Sequence, residues 1–171
     1  MTRIGLLSDT HGWLDEKILL HLSRCDEVWH AGDIGTTEVL HTLQNIPGGT
    51  SAKTLRAVWG NIDGTEIRKQ IPEHLRFRCE GVEVWITHIG GRPGRYDIKV
   101  KDEIERNPPN LFICGHSHIL LVEMNMHLRC LHINPGAAGR HGFHLMRTIL
   151  LFEIEGEKIQ HLKVVELGKR A

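Results

Sequence analysis

The sequence carries no net charge, since its 21 Lys and Arg balance 21 Asp and Glu across 171 residues. A chain without a global field offers no general attraction to nucleic acid or anionic lipid, so any anion it binds must be held by a local site. Long apolar runs are missing too. The first one, Ile4 to Leu7, meets Ser8-Asp9 at once, too short and too soon charged for a signal peptide or a membrane span. A cytoplasmic protein without a membrane partner is therefore expected. Cysteine is sparse: Cys25, Cys79, Cys114 and Cys130 form no C-x-x-C pair, which argues against a structural zinc site and reads as buried reduced thiols. No repeat, low-complexity tract or dividing linker occurs. At 40% hydrophobic and 25% charged residues, the span 1–171 is expected to form a single domain. What the chain has in excess is histidine, with 13 residues.

The first third alternates strand and helix. Ile4 to Ser8 reads as a buried strand, and Asp15 to Arg24 carries Ile18, Leu19 and Leu22 at helical spacing. Glu27 to His30 is a second strand, and Thr36 or Thr37 can cap a helix that turns Val39, Leu40 and Leu43 inward. A loop is expected at Pro47-Gly48-Gly49-Thr50-Ser51 and a strand at Leu55 to Trp59. This order predicts an α/β fold with parallel strands. Later segments read as a hairpin of Leu75 to Cys79 with Val82 to Thr87, a helix at Lys99 to Arg106, and a buried strand at Leu111 to Cys114. Leu120 to Met124 should pair with Leu128 to Ile133, and Thr148 to Ile154 with Ile159 to Leu167.

Five short polar stretches each follow an apolar strand: Asp9-Thr10-His11, Gly32-Asp33, Gly60-Asn61, Thr87-His88 and Gly115-His116-Ser117-His118. Loops beyond the carboxyl ends of the strands gather on one edge of an α/β sheet, so these stretches can converge. Two carboxylates, one amide and four imidazoles in one cleft are costly to bury unless paired or coordinated, and they match the ligand chemistry of first-row divalent metals. Seven protein ligands exceed the need of one ion that also keeps water, so two ions fit better. Paired ions in hydrolases lie about 3.5 to 4 Å apart, a span one carboxylate can bridge.

The ordered set D-x-H, G-D, G-N, H and G-H-x-H resembles the calcineurin-like metallophosphoesterases over about residues 4 to 136. The short length, the G-N-x-D form at Gly60 to Asp63 and the N-P-G turn at Asn134 to Gly136 are similar to the small YfcE-type phosphodiesterases. The resemblance implies a four-layer α/β/β/α sandwich of two mixed β-sheets flanked by helices. It implies that Asp9, His11, Asp33 and His118 hold one metal, and that Asp33, Asn61, His88 and His116 hold the other, with Asp33 as the bridge. Asp33, Asn61 and His116 are the expected catalytic residues. The chain departs from the family pattern in three places. Ile62 stands where larger members have a histidine that acts on the leaving group, which excludes strong general-acid catalysis from that position. His88-Ile89-Gly90 keeps one histidine of an H-G-H form, and Ala137 replaces the serine usual after N-P-G.

The function expected on this reading is phosphodiester hydrolysis by metal-bound hydroxide. Two ions give four positive charges against two carboxylates and one hydroxide, so a positive centre coexists with zero global charge. Mn²⁺ is the first choice, with Fe, Zn, Ni and Co as alternatives, and the partner is a small phosphodiester substrate. Asn61, Arg92 and Arg95 are the candidate substrate contacts; Gly90-Gly91-Arg92-Pro93-Gly94-Arg95 reads either as an arginine-bearing loop over a phosphate or as an ordinary turn. Simpler readings compete elsewhere. Asp9 and Asp33 can be helix caps, Asn61 a left-handed turn amide, Asp63 a turn partner and His30 a support for the ligands. The main alternative function is a non-catalytic protein-binding scaffold of the retromer-subunit type. A nuclease fits less well with a neutral chain that has no basic stretch. The natural substrate and any homo-oligomer depend on pocket shape and exposed apolar area, which a sequence does not display.

Overall fold

The computed structural model describes residues 1–46 and 53–171, so the loop expected at residues 47–51 lies outside the described residues. The chain begins with β1 (Thr2–Leu7), α1 (Glu16–Leu22), β2 (Glu27–His30), α2 (Thr37–Gln44) and β3 (Thr54–Ala57). It continues with α3 (Thr65–Arg68), β4 (His74–Cys79), β5 (Val82–Thr87), β6 (Gly91–Arg92), β7 (Arg95–Tyr96) and α4 (Ile98–Arg106). β8 (Leu111–Ile113), β9 (Leu120–Asn125), β10 (Cys130–Pro135), β11 (Met146–Glu155) and β12 (Lys158–Lys169) complete it.

The strands form two mixed five-stranded sheets, ordered β12-β11-β1-β2-β3 and β4-β5-β8-β10-β9, beside the small β6–β7 ribbon. In the first sheet β1, β2 and β3 run parallel while β11 lies antiparallel to β1. In the second, β5, β8 and β10 run parallel, with the β4 hairpin on one edge and β9 on the other. The strands with few polar residues are those covered on both faces, because successive side chains point to opposite sides. Leu6, Trp29, Ile86 and Ile113 enter the core between the sheets. Their neighbours Leu7 and Val28 face outward onto Ile18, Leu22, Leu40 and Leu43 of α1 and α2. Trp85 and Phe112 face outward on the other sheet, onto Val100 and Ile104 of α4. The result is the expected α/β/β/α layering. The four cysteines are free and buried, and burial pushes their thiols up, Cys114 to about 12.

The structure decides between some of these readings and adds to others. Asp9 and Asp33 cap no helix: Asp15 caps α1 by accepting from Ile18 N–H, and Thr36 caps α2 by accepting from Val39 N–H. The 90–95 stretch is a short ribbon, with β6 and β7 too brief to show any period in the sequence. The four residues of α3 were not foreseen, because one buried residue, Ile67, makes no pattern. β8 stops at Ile113, and beyond it His116 and His118 both have left-handed backbone, with φ of 67° and 59°.

Candidate metal centre

The loops after β1, β2, β3, β5 and β8 meet at one edge of the two sheets. They are pinned to one another by backbone hydrogen bonds: Asp9 N–H donates to Gly32 C=O at 3.0 Å, His11 N–H to Asp33 C=O at 3.0 Å, and Gly115 N–H to His88 C=O at 2.9 Å. Asp63 supplies a second set of ties. Its carboxylate accepts from Gly60 N–H at 2.8 Å, Ile34 N–H at 3.1 Å and Gly35 N–H at 2.8 Å, clamping the Asn61 loop to the Asp33 loop. It is therefore a turn partner, as one reading of the sequence held. Asn134 does the same for the histidine loop, its amide donating to Gly115 C=O and Ser117 Oγ. Asp63→Ala is expected to leave three buried donors unpaired and to destabilise the metal-free protein by about 3 kcal/mol. Urea denaturation measures it, with Glu66→Ala, on the exposed side of α3, as the surface control.

All seven residues singled out by their spacing come together, and six of them form two groups. Asp9, His11 and His118 offer ligand atoms within 4.8 Å of one another, and so do Asp33, His88 and His116. Asp9 Oδ2 is occupied by Ser8 Oγ–H at 2.6 Å and His116 N–H at 3.2 Å. Its Oδ1 is left facing His118 Nε2 at 3.1 Å and His11 Nε2 at 3.9 Å. Asp33 faces both groups, with Oδ1 3.2 Å from His88 Nε2 and Oδ2 3.5 Å from His11 Nε2. Asn61 Oδ1 lies 3.1 Å from His88 Nε2 and 2.9 Å from His116 Nδ1. Asn61 is not left-handed, so the turn-amide reading does not describe it.

Two observations test whether this donor set fits a cation. Asp9 Oδ1 and His11 Nε2 are buried without a hydrogen-bond partner, a costly state that a bound ion relieves. His88 points Nδ1 at Ala31 C=O, 2.8 Å away. The carbonyl only accepts, so Nδ1 carries a hydrogen, and whenever the ring is neutral Nε2 presents its lone pair toward the oxygens of Asp33 and Asn61. A cluster of acceptors facing one another is the arrangement a cation resolves, and the carbonyl behind the ring fixes its tautomer as metal-binding histidines require. Five of the seven also share a strained backbone: Asp9, His11, Asp33, His116 and His118 have φ between 46° and 67°. Such residues cluster where surrounding structure over-determines them, commonly at functional sites.

Burial sets the electrostatics of the floor. It pulls the His11 imidazole below its usual value, against the charges of Asp33 and Asp9. Burial alone would raise the Asp33 carboxyl, but the His88 hydrogen bond and charge and the Ile62 N–H outweigh it and hold the group low. For His88 burial is again the largest influence and acts downward; the Asp33 hydrogen bond with the Asp9 and Asp33 charges overcomes it and raises the imidazole. His30 sits outside both groups. It accepts Gly32 N–H at Nδ1, and its Nε2 meets Thr10 Oγ1 at 2.9 Å, so this fully buried ring braces the loops that carry Asp9 and Asp33.

A cleft of about 530 Å³ opens over the groups, walled by Asn61, Ile62, His118 and His141. His141 and His144 stand beside the two groups, their rings 4.9 Å from His11 and 5.2 Å from His118. Their irregular loop offers no period or turn signature from which the sequence could reveal this. Arg92 and Arg95 are not brought to the seven; they line a neighbouring cleft that shares His116 as a wall. Ala137 is fully buried and lines neither cleft.

Residues 2–157 match the calcineurin-like phosphoesterase superfamily domain. A curated protein of Mycoplasma pneumoniae named "Probable metallophosphoesterase" is 31% identical over 145 residues, covering 80% of this chain and 79% of its own. Among solved structures, Vps29 of Chaetomium thermophilum superposes with a TM-score of 0.74 at 14% identity, covering 99% of this chain and 100% of its own. An archaeal phosphodiesterase superposes with a TM-score of 0.71 at 22% identity, covering 95% and 99%. These two likenesses concern the fold alone, whereas the family match spans nearly all the strands and every residue of both ligand groups. The chain thus belongs to the calcineurin-like phosphoesterase superfamily.

Proposed function

We propose that this protein is a phosphodiesterase working with two divalent ions, one held by Asp9, His11, Asp33 and His118 and the other by Asp33, Asn61, His88 and His116. The observation that carries this reading is the placement of Asp33, whose two carboxylate oxygens face histidines of different groups. Ions bound there supply a deprotonated water at neutral pH and positive charge for the phosphoryl oxygens. The chain's own work is positioning. Asp9, Asp33 and His88 form a buried floor, while His116 and Asn61 stand at the exposed rim where a phosphoryl group arrives. The name of the archaeal relative in fold supports diesters as substrates. Four buried free thiols suit a reducing compartment, which supports a cytoplasmic location. Among the described residues no helix is long and apolar enough to cross a membrane. Mn²⁺ is the ion proposed for first trial.

Ile62, 45% exposed at the cleft wall, brings no proton to the leaving oxygen. The rate should therefore rest on how well the leaving group carries its own charge. Metal-stripped protein refilled with Mn²⁺ is expected to hydrolyse bis-p-nitrophenyl phosphate faster than diphenyl phosphate by at least about 100-fold, and to act poorly on p-nitrophenyl phosphate. Equal rates on the two diesters would sink the leaving-group argument. Folded, metal-loaded protein that cleaves none of the three would favour a protein-binding scaffold instead.

A further inference from the structure

The second cleft measures about 630 Å³ and runs from His116 to the β6–β7 ribbon. On that ribbon Arg92 and Arg95 stand directly opposite each other. Like charges in register repel, and a ribbon with two residues per strand has little to offset the repulsion. Among the described residues neither Arg92 nor Arg95 has a carboxylate within 4.0 Å; other surface arginines, such as Arg24, Arg78 and Arg129, share that property, but these two lie in register on one wall of a cleft. Asp97 is the acid on the cleft wall, and its Oδ1 accepts from Lys99 N–H as the cap of α4. Two unpaired guanidinium forks on one wall therefore form a receptor for an anion such as phosphate. The remaining wall is apolar and open, with Ile98 88% and Ile119 67% exposed. An organic group is suited to that part of the cleft.

Ile62 adds an independent constraint: with an aliphatic side chain at that position of the wall, a leaving group that departs as a stable anion has the advantage. A phosphate monoester, whose second pKa is about 6, is such a group. Building on the phosphodiesterase reading, we propose that the substrates are pyrophosphate-linked esters of a nucleoside, with the scissile phosphorus at the metal centre and the second phosphate between Arg92 and Arg95. The base lies against Ile98 and Ile119. In the reaction a water oxygen bonds to the first phosphorus and the P–O bond to the bridging oxygen breaks. The electron pair stays on the bridging oxygen, which becomes a terminal oxygen of the departing phosphate, and the protons of water pass to solvent. The arginines stabilise the charge that grows there.

The test compares Mn²⁺-loaded protein on P1,P2-di(adenosine-5′) pyrophosphate and on adenylyl-(3′,5′)-adenosine, which has a single phosphate. The pyrophosphate should be cleaved at least about 100-fold more efficiently, and Arg92→Ala/Arg95→Ala should lower its kcat/KM about 30-fold while changing bis-p-nitrophenyl phosphate less than about threefold. The Lys/Lys pair at these positions should fall between, keeping charge and losing the fork. The Ala/Ala protein should melt no lower than the parent, since its repelling pair is gone. Equal efficiency on the two dinucleotides, or equal loss on both classes of diester, overturns the proposal. Calorimetry on metal-free protein separates this inference from the hydrolytic one. AMP binding about tenfold tighter than adenosine, with the preference abolished in the Ala/Ala protein, supports the cleft assignment even if no ester is cleaved; equal binding of the two rejects it.

Discussion

Asp33→Asn is expected to lower Mn²⁺-dependent diester hydrolysis by at least about 10³-fold while leaving the fold intact. The substitution keeps the shape of the side chain, and the remaining oxygen can still accept the Ile62 N–H. It changes the one residue whose two oxygens face His88 and His11. One of those oxygens becomes an NH₂ group, which repels a cation, and the negative charge shared by the two ligand groups is lost. Bound metal should fall from about two ions per chain to about one, measured by elemental mass spectrometry after dialysis. A melting temperature like that of the parent separates the effect from unfolding. Activity within tenfold of the parent, with two ions still bound, would mean that Asp33 bridges nothing.

Acid should weaken the fold of this protein as pH falls from 6.5 toward 4. His132 is fully buried under α4, with Nδ1 unpartnered and Nε2 3.6 Å from Cys114 Sγ, and burial holds its pKa down to about 4. In the unfolded chain it titrates near 6.5, so from pH 6.5 down to 4 the unfolded state takes up a proton that the native state refuses. The depressed native value therefore favours folding fully above pH 6.5, and that advantage drains away as pH falls. From this residue alone the loss is about 3 kcal/mol by pH 4. His30, also fully buried and held down mainly by burial, acts in the same direction. In metal-free protein His132→Phe should remove most of the His132 share, because the ring sits among Phe112 and Tyr96 and needs no polar partner there. Urea midpoints at pH 7 and pH 4.5 decide it. A parent and variant that lose stability equally over this range would show that His132 does not titrate as its burial demands.

The seven residues of the centre were readable because each follows an apolar strand, and the chemistry of the side chains then left few alternatives to a cation. Layering was readable for a related reason: runs such as Ile4 to Leu7 and Leu111 to Cys114 have no polar face and so must be covered on both sides. What escaped was set by neighbours distant in sequence. His141 and His144 reach the centre through a loop with no periodic signal. The left-handed backbone at His116 and His118 is imposed by contacts such as the Asn134 amide with Gly115 and Ser117, which no local pattern encodes. The capping reading of Asp9 and Asp33 failed because Asp15 and Thr36, several residues further on, had already taken that task. The sequence shows Arg92 and Arg95 close together, but their register across a ribbon is set by the fold.

The position of β1 bears on how the protein is made. Thr2 to Leu6 lie between β2 on one side and β11 on the other, where Thr2 faces Ile154 and Leu6 faces Leu150. During synthesis β2 emerges soon after β1, whereas β11 leaves the ribosome only after the long stretch between them has been translated. Until then the apolar edge of β1 is unpaired, in the state most prone to pairing with a strand of another molecule. Joining the first strand to one of the last also makes folding slow, because a long loop must close before the contact is gained. Asp9, fixed by the end of β1, shares its ligand group with His118 from the opposite sheet, so capture of a divalent ion would report that the two sheets have docked.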